Sequence, residues 1–161
     1  MKFALATIDD LPEIMKLEHL GFNEAEAGSE EAYRDRINKL HETFLTVQDD
    51  GKVIGFVVGP AVKQRFIEDE MFDVTPDNLF DGGHQLIFTI AIDPDYRGQG
   101  IGSKLLTKFE SNARKAHRTS IALTCLKDRI PFYEKNGYIN QGIAGSEHGN
   151  EVWYNMEKII N

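Results

Sequence analysis

The sequence predicts a mixed α/β fold formed by a single domain over residues 1–161. Three observations support this prediction. A length of 161 residues is typical of one domain, and no repeat or Pro-, Gly- and Ser-rich linker divides the chain. Hydrophobic residues make up 41% and charged residues 27%, as in ordinary globular proteins. The strand and helix patterns do not alternate regularly, so the fold is not a repeating βαβ array.

The first half of the chain predicts three strands and two helices. Thr7 and Asp10 have the spacing of a capping box before an amphipathic helix, and a second helix is predicted to begin at Ser29. Residues 61–83 mix charged and aromatic residues, which predicts a long excursion with one helical turn. Three short apolar segments are predicted strands: Phe3–Ala6, Phe44–Val47 and Val53–Val58.

The second half predicts four strands and two helices. One helix starts at Ile101, where apolar residues recur at helical spacing, and the short helix Ile130–Lys135 ends at Gly137. The predicted strand Gln85–Ile92 is almost continuously apolar, which is typical of the buried centre of a sheet. The remaining predicted strands follow in order: Ser120–Cys125, Tyr138–Gly142 and Glu151–Lys158.

Composition excludes several classes of protein. The formal net charge of −8 disfavours binding to nucleic acid phosphates and favours cationic molecules such as amines. The longest apolar runs fall far short of the ~20 residues that span a bilayer. There is no signal-peptide pattern, and the one cysteine, Cys125, allows no internal disulfide. We therefore expect a cytoplasmic protein without a membrane or nucleic acid partner, and no metal site is predicted.

A glycine-rich turn stands between a predicted strand and a predicted helix, where free backbone amides and the helix dipole attract phosphate. Its sequence is Arg97-Gly98-Gln99-Gly100-Ile101-Gly102. Gly102 is followed by Ser103 and then Lys104, whereas a P-loop requires Gly-Lys-Ser/Thr. Ser103 also stands where a dinucleotide fingerprint requires its third glycine. Both of those phosphate-binding motifs are therefore rejected.

The turn does match the Arg/Gln-x-x-Gly-x-Gly/Ala signature, and Ile90–Leu106 as a whole resembles the strand-loop-helix core of the GCN5-related N-acetyltransferases. A second segment, Pro131–Tyr138, resembles the family's later segment, in which a tyrosine on a short helix faces the cofactor sulfur. The two segments occur in the family's order with a predicted strand between them. The resemblance is good over residues 82–138 and elsewhere extends only to the order of the elements.

Within this family, Gly82–His84, Leu123–Cys125 and Pro131–Tyr138 are most similar to serotonin (arylalkylamine) N-acetyltransferases. Those enzymes carry two histidines on the central strand that relay the proton of the amine. The matching positions here are Leu86 and Phe88. The histidine relay is therefore absent, which argues against an aromatic amine as substrate.

The resemblance implies a mostly antiparallel sheet in which two parallel strands, Gln85–Ile92 and Ser120–Cys125, splay apart at a bulge, with the pantetheine arm of acetyl-CoA between them. It implies direct transfer of the acetyl group to a primary amine, with Tyr133 as general acid. It also implies ten residues that bind the acetyl-CoA cofactor: Ile90, Ala91, Ile92, Arg97, Gly98, Gln99, Gly100, Ile101, Gly102 and Ser103.

The base that accepts the proton of the amine is open. His84, just before the central strand, has suitable chemistry near neutral pH, and Asp81 and Glu26 are alternatives. The acceptor is expected to be a small molecule, because the 61–83 excursion can close over the site. A peptide acceptor and a non-catalytic acyl-CoA sensor are the alternatives. Strands near the C-terminus, including Val152–Tyr154, can pair across a homodimer.

Overall fold

The computed structural model describes residues 1–21, 27–145 and 150–161. It has two compact units, and each unit is built from two separate stretches of chain. The first unit contains Met1–Gly59 and Thr89–Phe109, and the second contains Pro60–Phe88 and Glu110–Asn161. The mixed α/β fold class is confirmed. In the ranges described, no helix is long and apolar enough to cross a membrane.

Strands and helices follow the order predicted from the sequence, with additional short elements in the excursion. The strands are β1 Lys2–Leu5, β2 Phe44–Asp49, β3 Lys52–Val58, β4 Ala61–Val62, β5 His84–Ile87, β6 Thr89–Ile92, β7 Ser120–Cys125, β8 Ile139–Ile143 and β9 Tyr154–Ile159. The α-helices are α1 Leu11–Gly21, α2 Glu30–Lys39, α3 Glu70–Asp73, α4 Ile101–Lys115 and α5 Ile130–Lys135.

The first unit contains an antiparallel sheet with the strand order β1-β2-β3-β6. Asp50 and Gly51, with φ of 51° and 80°, form the tight turn between β2 and β3, where two positive φ angles match the twist of the strands. Among the described residues, β6 is the last strand of this sheet. One of its edges therefore has no neighbouring strand in the sheet.

The two N-terminal helices start where the sequence predicts. The Thr7 backbone N–H donates to Asp10 Oδ2 at 2.9 Å, which confirms the capping box, although a short 3₁₀ turn precedes α1. Ser29 Oγ accepts a hydrogen bond from the Ala32 N–H at 3.0 Å and caps α2. Each bond satisfies a backbone donor that the helix itself leaves unpaired.

Aromatic and aliphatic side chains from α1, α2, β2 and β3 form the core of the first unit. The rings of Tyr33 and Phe56 meet edge to face, with centroids 5.7 Å apart. Gly55 in β3 allows close packing, since a Cβ there would lie 2.8 Å from Ile92 Cδ1. Six fully or almost fully buried residues of this core are Ile14, Leu17, Tyr33, Ile37, Phe44 and Phe56.

The second unit contains a sheet with the strand order β4-β5-β7-β9-β8, in which β5 and β7 are parallel and the other pairs antiparallel. The 61–83 excursion packs on this sheet. Phe66 and Ile67 contact a buried cluster that includes Leu86 and Ala122. Arg65 also binds the buried Glu157 carboxylate through two hydrogen bonds of 2.7 and 2.6 Å.

The prediction of one continuous strand over Gln85–Ile92 is wrong. The strand is interrupted at Phe88, which separates β5 from β6. β5 pairs with β4 and β7, whereas β6 pairs with β3 in the other sheet. The Phe88 ring stacks on Phe72 with centroids 4.6 Å apart, and the pairing of β6 begins at Thr89. The apolar run concealed this break because both short strands are largely buried or half-buried.

Candidate functional site

The glycine turn presents a row of free backbone amides at the start of α4. None of the amides of residues 98–103 donates a hydrogen bond to any residue that the structure describes. Gly98 and Gly100 have φ of 80° and 75°, and a Cβ at either residue would meet nothing within 4 Å. The turn is therefore open on the side to which these glycines would direct a side chain. The helix that follows has 15 residues, so its dipole adds positive potential at this end.

The segment before the turn is held by its own polar side chains. Asp93 Oδ1 accepts a hydrogen bond from the Asp95 N–H at 2.9 Å and caps a short 3₁₀ turn. The Tyr96 hydroxyl donates to Asp49 Oδ2 at 3.1 Å, and Lys52 pairs with Asp93 at 3.5 Å. These contacts attach the segment to the β2–β3 hairpin. Arg97 is exposed and adds a positive charge beside the free amides.

Backbone groups of β6 face in alternate directions. The Asp93 N–H donates to the Ile54 carbonyl at 2.8 Å, which continues the register that places Ile92 opposite Gly55. Hydrogen-bonded and non-bonded pairs alternate in an antiparallel ladder, so Ala91 bonds toward β3 while the backbone groups of Ile90 and Ile92 point away. An extended chain could pair with Ile90 and Ile92 as an added strand. Ala91 has no backbone group on that edge.

Tyr133 lies on α5 in the second unit and is 7% exposed. Its ring meets the rings of Phe132 and Tyr138, with centroids 5.0 and 5.9 Å away. Burial, with a smaller contribution from Cys125, raises the pKa of the Tyr133 phenol. The hydroxyl makes no hydrogen bond to a described residue. Tyr133 therefore carries its proton at neutral pH and can donate it.

Cys125 ends β7 and is buried. Burial and then the nearby Asp128 carboxylate raise the pKa of its thiol to about 11. A thiol with this pKa is almost entirely protonated at neutral pH, and the thiolate is the nucleophilic form. Cys125 is consequently a small apolar residue beside Tyr133 and not a nucleophile.

His84 does not lie with Tyr133. It begins β5, opposite Ser120 at the start of β7, and its Nδ1 lies 2.7 Å from Ser120 Oγ. Cys125, which interacts electrostatically with Tyr133, ends β7 about 16 Å further along at the usual rise per residue. The structure therefore separates the two residues that the sequence predicts to be catalytic.

The alternative bases are also accounted for. Asp81 makes an exposed hydrogen-bond contact with His117, with 2.8 Å between its Oδ1 and the ring Nδ1. Glu26 lies outside the described residues. Sequence reasoning missed Glu18, a glutamate of α1 that is only 3% exposed. Its spacing of four residues from Ile14 places it on the apolar face of the helix, and that spacing is the signal that could have identified it.

Comparisons with known proteins agree with this geometry. A sequence model of the acetyltransferase (GNAT) family matches residues 9–138. The uncharacterized N-acetyltransferase ycf52 of Porphyra purpurea is 32% identical over 82 residues, which are 50% of this chain and 42% of that protein. The ycf52 protein of Pyropia yezoensis is 30% identical over the same shares. The chain thus matches less than half the length of these curated relatives.

Solved structures share the fold at low sequence identity. The GphF GNAT-like decarboxylase superimposes with a TM-score of 0.87 at 12% identity, over 100% of both chains. Ard1 from Thermoplasma volcanium gives 0.80 at 21% identity over 99% of this chain and 97% of its own. Arabidopsis thaliana Naa50 gives 0.76 at 19% identity, over 99% and 98%. On the match to the family model over most of its length, the chain belongs to the acetyltransferase (GNAT) family.

Proposed function

We propose that this protein transfers an acetyl group from acetyl-CoA to a small primary amine. One observation carries the proposal: the free amides of residues 98–103 and the outward-facing backbone of Ile90 and Ile92 belong to the same unit and to adjoining segments of chain. The first group suits a pyrophosphate and the second suits an amide-rich arm that pairs like a strand. Coenzyme A contains both chemical groups.

The residues of the turn fit the charged part of this cofactor. The amides of residues 98–103 would hold the pyrophosphate, and Arg97 would supply a fixed positive charge. Ile90 and Ile92 would hold the pantetheine through backbone groups, whereas Ala91 bonds toward β3 and its methyl group is buried in the core of the first unit. Two structural neighbours support the fit: the GphF structure contains isobutyryl-CoA, and the Naa50 structure contains a bisubstrate analogue made from CoA and an acetylated peptide.

Acetyl-CoA supplies an acetyl thioester, and the chain provides the groups that direct its transfer. The backbone N–H of Ile90 would polarise the thioester carbonyl. The amine, with a pKa of about 10.4 if it resembles lysine, must lose a proton before it attacks. Tyr133 would then donate its phenolic proton to the departing thiolate. Its raised pKa keeps this proton in place until it is needed.

A small amine is favoured over a peptide because the excursion occupies a face of the second sheet. Arg65, in the excursion, donates from two guanidinium nitrogens to the two carboxylate oxygens of Glu157 in β9, and Phe66 packs on the cluster containing Leu86. A peptide acceptor requires an open groove of several residues. Since Leu86 and Phe88 replace the relay histidines of arylalkylamine enzymes, we propose an amine whose recognition does not depend on them.

Thermal melting with and without acetyl-CoA, followed by a thiol-release assay over a panel of amines, tests the proposal. A ligand that binds only the native state at a hundredfold excess over its Kd adds about 2.7 kcal/mol of stability. We expect a clear rise in Tm with acetyl-CoA and thiol release with small primary amines. Release only with peptides would indicate a peptide acetyltransferase. A rise in Tm without release would indicate an acyl-CoA sensor, and no rise would contradict the cofactor assignment.

A further inference from the structure

Three polar residues are buried together between α1 and α2 in the first unit. Glu18 is 3% exposed, Tyr33 is fully buried and Arg36 is 5% exposed, and we call them the Glu18 cluster. The Gly28 N–H donates to Glu18 Oε2 at 2.7 Å. The Arg36 guanidinium lies over the Tyr33 ring, 4.8 Å from its centroid. A charged group this deep in a core requires a specific reason for its presence.

Two oxygen atoms of the Glu18 cluster have no hydrogen-bond partner among the described residues. They are Glu18 Oε1 and the Tyr33 hydroxyl, both inaccessible to solvent. Buried polar atoms are nearly always paired in native proteins, so two unpaired atoms in one cluster require an explanation, and a catalytic role is one. Gly28 permits their proximity, because a Cβ there would lie 2.8 Å from Tyr33 Cε2 and 3.2 Å from Glu18 Oε2.

Thr89 connects the Glu18 cluster to β6. It is the first residue of that strand and immediately precedes Ile90, whose backbone faces the open edge. Burial raises the pKa of the Tyr33 phenol most and the Glu18 carboxylate raises it further, while an interaction with the Thr89 hydroxyl lowers it. Tyr33 therefore interacts both with the Glu18 carboxylate and with the first residue of β6.

We propose that Glu18 is the terminal acceptor of the proton that leaves the amine, with Thr89 and Tyr33 passing that proton to it. This inference rests on the proposed function. An N–H bond of the ammonium breaks as an O–H bond forms on Thr89; the Thr89 proton moves to the Tyr33 oxygen, and the Tyr33 proton moves to a Glu18 oxygen. The nitrogen keeps the electron pair with which it attacks the thioester. Glu18 later releases its proton to water.

Electrostatics fit this role. Burial raises the pKa of the Glu18 carboxyl above its ordinary value, while the Gly28 amide, Tyr33, Arg36 and His19 each lower it and together do not cancel the effect of burial. A raised carboxyl pKa makes a better base near neutral pH. Hydrogen bonds between catalytic groups are often long before substrate binds and shorten in the complex, which accounts for the unpaired oxygens.

Glu18→Gln tests the inference, because the amide still accepts the Gly28 hydrogen bond but cannot take a proton. We expect kcat/KM to fall on the order of 1,000-fold near pH 7, within the roughly 10²–10⁴ range for loss of a general base. In the wild type kcat/KM is flat above the pKa of Glu18. In the variant it rises tenfold per pH unit and approaches the wild type near the pKa of the amine, about 10.4. Tyr33→Phe keeps the ring and is expected to show the same profile.

Glu13→Gln is the matched control, since Glu13 also lies on α1 and accepts a backbone hydrogen bond, from Val53 at 2.8 Å. It is expected to keep the wild-type pH profile. All variants should retain the rise in Tm with acetyl-CoA, which separates this test from that of the cofactor. An unchanged pH profile in Glu18→Gln, or an equal loss at every pH, would overturn the inference. A wild type that binds acetyl-CoA but acetylates no amine would overturn the proposed function as well.

Discussion

Burial determines which side chains of this protein hold or release protons near neutral pH. It raises the pKa of the Tyr133 phenol, sets that of the Cys125 thiol at about 11 and raises that of the Glu18 carboxyl. The first two groups therefore stay protonated, whereas the third becomes a stronger base than an exposed glutamate. The same physical effect keeps the proton on Tyr133 and makes Glu18 the stronger proton acceptor.

Tyr133→Phe isolates the donor role. Phenylalanine keeps the ring contacts with Phe132 and Tyr138 but lacks the proton that we propose passes to the thiolate. We expect kcat to fall at least tenfold with little change in the Kd for acetyl-CoA, since general acids contribute roughly 10²–10⁴ in rate. Steady-state kinetics together with titration of acetyl-CoA would measure both quantities. An unchanged kcat would remove Tyr133 from the mechanism.

Single residues were unequally predictable from the sequence. Tyr133 stands in a segment that resembles the family, so its identity and neighbours indicated its role, which stays a prediction. His84 is indicated by its chemistry and by its position before the central strand, and the parallel pairing of β5 with β7 places it at the opposite end of β7 from Cys125. Glu18 could not be identified from nearby residues, because its burial depends on α2 and Gly28, which are distant in sequence.

At the scale of elements, the turn before α4 was the most predictable feature. Its conformation depends on nearby residues only, with positive φ at Gly98 and Gly100 and a helix that starts at Ile101. The family resemblance implies a bulge in this region, but its position at Phe88 was not predictable, because it depends on which strands pair with β5 and β6. Local chemistry can be derived from a sequence pattern, whereas the choice of strand partners depends on contacts across the chain.

Gly100→Asp tests the turn as an anion site. The side chain adds a negative charge where the pyrophosphate is proposed to lie, so we expect the rise in Tm with acetyl-CoA to disappear. Gly51→Asp is the matched control: Gly51 has φ of 80°, close to the 75° of Gly100, and equally open surroundings. Both variants pay a similar backbone cost of about 1 kcal/mol. If Gly100→Asp retains the full rise, the assignment of the turn is wrong.

At the scale of the whole molecule, the two compact units are interleaved along the chain. The first unit ends at Phe109 and the second resumes at Glu110, so both share the helix α4. Neither unit can be cut out as one continuous segment. We therefore propose that residues 1–161 form a single cooperative domain. A homodimer through the C-terminal strands stays a prediction from the sequence.

Cooperativity can be measured with a probe in one unit and a ligand that binds the other. Trp153, the single tryptophan, belongs to the second unit, while the turn proposed to bind acetyl-CoA belongs to the first. In a two-state domain all probes report the same transition. We expect melting followed by Trp153 fluorescence to coincide with melting followed by circular dichroism, and acetyl-CoA to raise both midpoints equally. If acetyl-CoA raised the midpoint of the circular dichroism transition but not that of the Trp153 transition, the two units would unfold separately. That result would contradict a single cooperative domain.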